Sequence, residues 1–237
     1  MQAEGEIVEV KLVLSRLKKL YNPKNVAGMA RFGSKPKNAY GIAIPVLRKM
    51  AKGAGKDHGL ALGLWDSGIH EARILASMVD EPEKVTSSQM DEWASGFDSW
   101  DVCDQVCMNL FGETGLAWKK VYEWAGRDEE FVKRAAFALI AVLAWHDKEA
   151  PDSEFEKFLP LIRREAADER NFVKKAVNWA LRHIGKRNVA LNVKAIAAAK
   201  GIARIDSKAA RWIAADALRE LQGAAVQKRL KEKRRKG

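Results

Sequence analysis

A chain of 237 residues with 42 Lys and Arg against 31 Asp and Glu carries a formal charge of +11, which favours a polyanionic partner, and is long enough to bury its own core. Its two cysteines, Cys103 and Cys107, stand four apart within one expected helix, and its four histidines show no zinc-ligand spacing, so composition argues against a disulfide scaffold, a metal or a cofactor. The start of the chain has no basic, apolar leader and the longest apolar run, Ala135 to Trp145, is too short to span a bilayer, which predicts a soluble, cytoplasmic protein with no membrane partner.

The first helical pattern runs from about Glu6 to Leu20, with Ile7, Val10, Leu14 and Leu17 on one face, and Asn22-Pro23 ends it. A short segment from Lys24 to Phe32 follows, then a loop, residues 33–38, rich in breakers and positive charge. From Pro45 onward helix follows helix: roughly 45–53, 57–66, 69–79, 87–97, 99–111, 115–126, 128–145, 152–168, 171–185, 188–200 and 206–222. No stretch alternates with period two, so the chain is predicted to be all-α. Residues 1–225 read as one helical-repeat domain, and 226–237 as a basic tail, disordered or a frayed helix, that could tether nucleic acid.

Phe131-Val132-Lys133-Arg134-Ala135 recurs as Phe172-Val173-Lys174-Lys175-Ala176, 41 residues later, and Ile69-His70-Glu71-Ala72-Arg73 fits the same register. Helix pairs at that interval predict an α-solenoid, with a bundle as the alternative. In this register Arg73, Asp104, Arg134 and Lys175 occupy equivalent places, spaced 31, 30 and 41 residues apart. Three are cations suited to a phosphate backbone; the fourth is a carboxylate.

A carboxylate there repels phosphates by roughly 1–4 kcal/mol at about 4 Å, depending on the local dielectric. Asp104 therefore either pairs with neighbouring cations or faces something positive in a substrate. Asp101, in the first helical turn, is accounted for by the helix dipole. Trp100 lies four residues before Asp104 and Trp179 four after Lys175, so both indoles stand one turn from the row, where they either pack into the core or flank the carboxylate as a box for a cation. Trp65, Trp93, Trp118, Trp124, Trp145 and Trp212 are expected in the core, and Cys103, Val106 and Cys107 are expected to pack their helix into the stack.

Ser99-Trp100-Asp101-Val102-Cys103-Asp104, followed by Phe131-Val132-Lys133-Arg134 and Trp179-Ala180-Leu181-Arg182, resembles the AlkD-type DNA alkylation repair glycosylases. The likeness extends to Asn22-Pro23-Lys24, Met29 to Phe32, Tyr40 to Pro45 and Leu64-Trp65, and covers about residues 20–215. It implies a right-handed α-solenoid of HEAT-like antiparallel helix pairs with a concave basic face, acting as a monomer on double-stranded DNA that carries alkylated bases.

The resemblance also implies a reaction, hydrolysis of the N-glycosidic bond of cationic N3- or N7-alkylated purines. Asp104 is then the catalytic carboxylate, Trp100, Trp179 and Phe32 the aromatic residues beside the substrate, and Arg73, Arg134, Lys175 and Arg182 the contacts to the DNA backbone. Phe32 stands where the family usually has a tyrosine, and so lacks its hydroxyl. The family also holds members that keep the fold without excising bases, so a non-catalytic nucleic-acid-binding module and a protein-interaction scaffold stay as alternatives.

Overall fold

The computed structural model describes residues 2–33 and 38–236. Of the expected loop, residues 34–37 lie outside the described residues, as does the side chain of Phe32. Every regular element among the described residues is helical.

The helices are α1 Gln2–Lys19, α2 Pro23–Met29, α3 Ile44–Ala54, α4 His58–Asp66, α5 His70–Val79, α6 Ser87–Ser95 and α7 Trp100–Asn109. They continue with α8 Ala117–Trp124, α9 Glu130–His146, α10 Asp152–Glu165, α11 Asn171–Gly185, α12 Val189–Ile202, α13 Lys208–Leu221 and α14 Ala224–Lys236. Short 3-10 turns follow α2 and α7, at Ala30–Phe32 and Phe111–Glu113.

Polar side chains start several of these helices by satisfying an orphan amide of the first turn. Asn22 accepts from Asn25 N with Pro23 in the first helical turn, Asp57 from Leu60 N at 2.8 Å, Thr86 from Gln89 N at 3.1 Å, and Asn188 from Leu191 N at 2.9 Å. α14 occupies the stretch expected as a tail, and Val226 and Leu230 are buried along it.

The chain divides into two compact units, Met1–Gly115 and Leu116–Gly237. In the first, α5 packs against α3, α4 and α7, and α1 lies on α4. An aromatic cluster fills this unit: Trp65 stacks on Trp93 at 4.2 Å, and Phe97 and Phe111 close around them. Cys103, Val106 and Cys107 are fully buried, so the apolar side of α7 points into the unit and its other side is left for Trp100 and Gln105.

In the second unit the pairs α8/α9, α10/α11 and α12/α13 follow one another, with α9 against α11 and α11 against α13. Every residue from Val132 to Ala144 is buried. A helix apolar on all sides must be enclosed, and α9 is enclosed by α8, α10 and α11. The 41-residue repeat becomes a contact here, with the Phe131 and Phe172 rings 5.4 Å apart. Among the described residues no helix is long and apolar enough to cross a membrane.

Trp65, Trp93 and Trp124 are buried as expected, and Trp118 stacks on Phe158 at 5.3 Å. Trp145 and Trp212 depart from the expectation, at 56% and 40% exposed. Trp145 stands one residue from the end of α9, where enclosure has ended, and packs beside His146. Trp212 is half covered by a charged stem, the Lys174 ammonium lying 5.5 Å from its ring.

Candidate functional site

The first unit holds a cavity of about 350 Å³ between α2, the segment Gly41–Ile44, α5 and α7. Met29, Ile42, Ile44, Ile74 and Met108 give it apolar walls, and Glu71, Asp101 and Asp104 bring three carboxylates to it. Trp100, His70, Asn25 and Gln105 complete the polar and aromatic lining. Asp104 is 9% exposed, and Trp100, one turn earlier on α7, is half-buried. Asp104 and Trp100 therefore meet at one concave place, as their spacing on one helix face predicts.

Each wall has a local cause. Glu71, 1% exposed, accepts three backbone amides, Tyr40 N at 2.8 Å, Gly41 N at 2.5 Å and Ile42 N at 3.2 Å. It thereby ties the strap before α3 to α5. The same strap is held to α2, since Asn22 N donates to Tyr40 O at 2.7 Å and Asn25 Nδ2 to Gly41 O at 2.8 Å.

His70 is 3% exposed with Nε2 3.0 Å from Asp101 Oδ2. Burial pulls its pKa down, but Asp101, Glu71 and Asp98 outweigh burial and hold it above the ordinary imidazole value. Burial likewise pushes the Asp101 carboxyl up, and the His70 imidazole overrides it, leaving Asp101 below the usual carboxylate range. Asp101 does lie in the first turn of α7, as expected, but the helix dipole is only part of its account. Glu71, His70 and the Asp101 partnership are the site features that sequence reasoning missed. The signal available was His70-Glu71 opening α5, in the very stretch used to set the repeat register.

The predicted row of four divides when its partners are traced. Arg73 is half-buried, donates to Gly96 O at 3.1 Å and covers the Trp65 ring at 5.0 Å. Arg134, 6% exposed, donates to Phe172 O at 2.6 Å. Both arginines thus reach a backbone carbonyl near the start of the next long helix of their own unit, α7 and α11 respectively. Lys175 is exposed.

Arg182 and Trp179 belong to the second unit. Arg182 donates to Asp216 Oδ2 at 3.3 Å and Glu220 Oε2 at 2.5 Å, and Lys186 shares Glu220 at 2.7 Å. Trp179 is half-buried and meets His183 edge-on at 5.8 Å. Arg73, Trp100 and Asp104 are residues of the first unit; Arg134, Lys175, Trp179 and Arg182 are residues of the second.

Residues 13–221 match the family model described as DNA alkylation repair enzyme. The curated proteins compared with the chain gave no match. A solved structure described as "A new family of proteins related to the HEAT-like repeat DNA glycosylases with affinity for branched DNA structures" is similar to it. That structure superposes with a TM-score of 0.77 and 19% sequence identity, over 93% of this chain and 95% of its own.

Proposed function

The chain belongs to the DNA alkylation repair enzyme family, and we propose that it is a DNA glycosylase releasing cationic N3- or N7-alkylated purines from duplex DNA. One observation carries this reading: Asp104 lines a cavity together with Trp100 and two further carboxylates, in a chain of formal charge +11. A protein built only to hold phosphates gains nothing from an acidic cavity.

The chemistry needs little from the protein. Alkylation makes the purine cationic, so when the bond between C1′ and the purine nitrogen breaks, the electron pair neutralises the leaving base and no general acid is required. Positive charge develops on the deoxyribose as in other glycoside cleavages. Asp104 supplies a fixed negative charge for that sugar and orients the water that adds to C1′, and the water's proton passes to the carboxylate or to solvent. Trp100 offers a ring face on the same cavity. Lys175, being exposed, is the cation placed to meet a phosphate. Arg182 meets one if phosphate displaces Asp216 and Glu220. Arg73 and Arg134 support the DNA-binding helices through the carbonyls they already hold.

A second reading is favoured by the similar solved structure, which is described as one of a family with affinity for branched DNA structures. On this reading the chain binds DNA junctions and cleaves no glycosidic bond. The two separate on base release. From methylated duplex DNA the parent protein should liberate free 7-methylguanine or 3-methyladenine, and Asp104→Asn should lose about 100-fold or more of that rate while retaining duplex binding. Equal release by parent and variant removes Asp104 from the reaction. No release by the parent, with junction DNA bound more tightly than linear duplex, favours the second reading.

A further inference from the structure

Trp212 is the fifth residue of α13, as Arg134 is of α9 and Lys175 of α11, so the row of equivalent places in the second unit continues to an indole. At 40% exposed, that indole is a large aromatic surface left open to solvent. The packing of α13 does not use it. Ala209, Ala210, Ile213, Ala214, Ala217 and Leu221 are the buried residues of α13, which lies against α11 and α12, and Trp212 stands outside that set.

The helix is pinned on both sides of the indole. Ahead of it, Ser207 accepts the Ala210 amide at 3.2 Å, and Glu169, in the turn before α11, accepts the Ser207 hydroxyl at 2.8 Å and the Ala209 amide at 3.1 Å. One turn beyond it, Asn178 Nδ2 of α11 donates to Asp216 Oδ2 at 2.7 Å. A ring carried on a backbone fixed in this way gives up little freedom when a partner stacks on it.

The surround is cationic. α11 carries Lys174, Lys175 and Arg182 and no Asp or Glu over its length. The Lys174 ammonium lies over the Trp212 ring, 5.5 Å from its centre, Lys175 is exposed, and Lys208 is exposed one turn before Trp212 on the same side of α13. The acids nearby meet cations of the protein itself: Asp206 meets Arg211 at 3.0 Å, Asp216 meets Arg182 at 3.3 Å, and Glu220 meets Lys186 at 2.7 Å.

A flat ring among ammonium groups suits a nucleotide whose base has left the stack. In an intact duplex each base is covered on both faces by its neighbours and shows only its edges in the grooves. An unpaired base offers its π face to an aromatic side chain while the phosphates on either side meet lysines.

We propose that Trp212 is a stacking residue for an unpaired base of DNA, with Lys175 and Lys208 on the phosphates beside it. Lys174 turns to a phosphate of the same strand as the base takes its place over the ring. The proposal rests on the DNA-binding part of the proposed function and does not depend on base release.

Fluorescence anisotropy of the full-length protein with two end-labelled probes tests this: a fully paired linear duplex, and the same duplex interrupted by a run of unpaired thymines in one strand. Trp212→Ala should weaken binding to the interrupted probe about tenfold and to the paired duplex less than about twofold, and Trp212→Phe, which keeps a ring, should recover most of the loss. Equal weakening on both probes overturns the proposal, as does no change on either. Should Trp212→Ala not fold, Trp212→Leu, with apolar bulk and no ring, is compared with Trp212→Phe. The Leu variant should bind the interrupted probe about tenfold more weakly than the Phe variant, and equal binding by the two overturns the proposal.

A parent protein that binds neither probe refutes the DNA-binding reading and this proposal with it. A parent that binds DNA but releases no methylated base refutes the glycosylase reading alone, and the comparison of the two probes still decides the role of Trp212.

Discussion

Glu71 Oε1 accepts the Gly41 amide at 2.5 Å, and Gly41 itself sits at φ +70°, with no room for a side chain. A Cβ there would lie 2.5 Å from Asn22 O and 2.9 Å from Asn25 Cβ and Val26 N. Two of those three contacts are with backbone atoms, which cannot swing aside. Gly41→Ala should therefore cost about 2–4 kcal/mol, from the left-handed conformation and the close contacts together. Glu71→Gln should cost a similar amount, about 2–4 kcal/mol, because buried amides lose charged acceptors. Both variants loosen one strap, so urea unfolding should show the double variant falling short of the sum of the singles. Full additivity would mean that Glu71 and Gly41 act on separate structures.

Arg134 and Lys175 hold equivalent places in the repeat but differ in burial, and their replacements should differ in kind. Arg134→Gln leaves Phe172 O without its guanidinium and should lower unfolding stability by about 2–4 kcal/mol. Lys175→Gln, at an exposed position, should change stability by no more than about 0.5 kcal/mol. Its effect belongs in DNA binding, where the slope of log affinity against log salt should fall by about one. Equal salt slopes for parent and Lys175→Gln would remove Lys175 from the DNA contacts.

The repeat was readable because Phe131 and Phe172 are chemically the same residue at the same place in successive pairs, and their rings do touch. Helix positions were readable for a similar reason: Asn22, Asp57, Thr86, Asn188 and Ser207 signal starts through local hydrogen bonds. The joining of Trp100 and Asp104 at one cavity needed only the geometry of a single helix. Contacts between helices were not readable. Nothing local in Glu71 says that it takes three amides from residues 40–42, and nothing in Asp101 says that His70 faces it. The carbonyl partners of Arg73 and Arg134 lie on other elements and were not readable for the same reason. That the last stretch packs as a helix, one of the two readings its charge run left open, is marked only by Val226 and Leu230.

Arg187 gathers carbonyls around the end of α9. It donates to Lys148 O at 3.1 Å and Ala150 O at 2.7 Å, also to Asp147 O, and its guanidinium lies 4.3 Å from the Phe155 ring centre. Within α9 itself this fork reaches only Ala144 O, at 3.5 Å, so what it chiefly ties down is the turn that follows the helix. Lysine carries the same charge but cannot spread several donors in one plane. Arg187→Lys should destabilise the protein by about 2–3 kcal/mol in urea unfolding. A loss as small as that of an ordinary surface change would show the carbonyls to be satisfied by solvent instead.

His183 should make the protein acid-sensitive. Burial pushes its pKa down to about 4, helped by Lys186 and Arg182 and opposed by Glu220. In the unfolded chain the ring titrates near its ordinary value of 6.5. As pH falls from 6.5 towards 4, the unfolded state therefore takes up a proton that the folded state refuses, and stability drops. The loss should reach about 2–3 kcal/mol and level off below pH 4. His70 runs the other way: its folded value lies above 6.5, so its contribution is complete below pH 6.5 and is lost as pH rises through the folded value. Unfolding free energy measured from pH 4 to 7 separates the two, because His183→Gln should flatten the acid decline and leave the loss at higher pH in place. An acid decline of unchanged slope in His183→Gln would assign it to other groups, Asp and Glu carboxyls first among them.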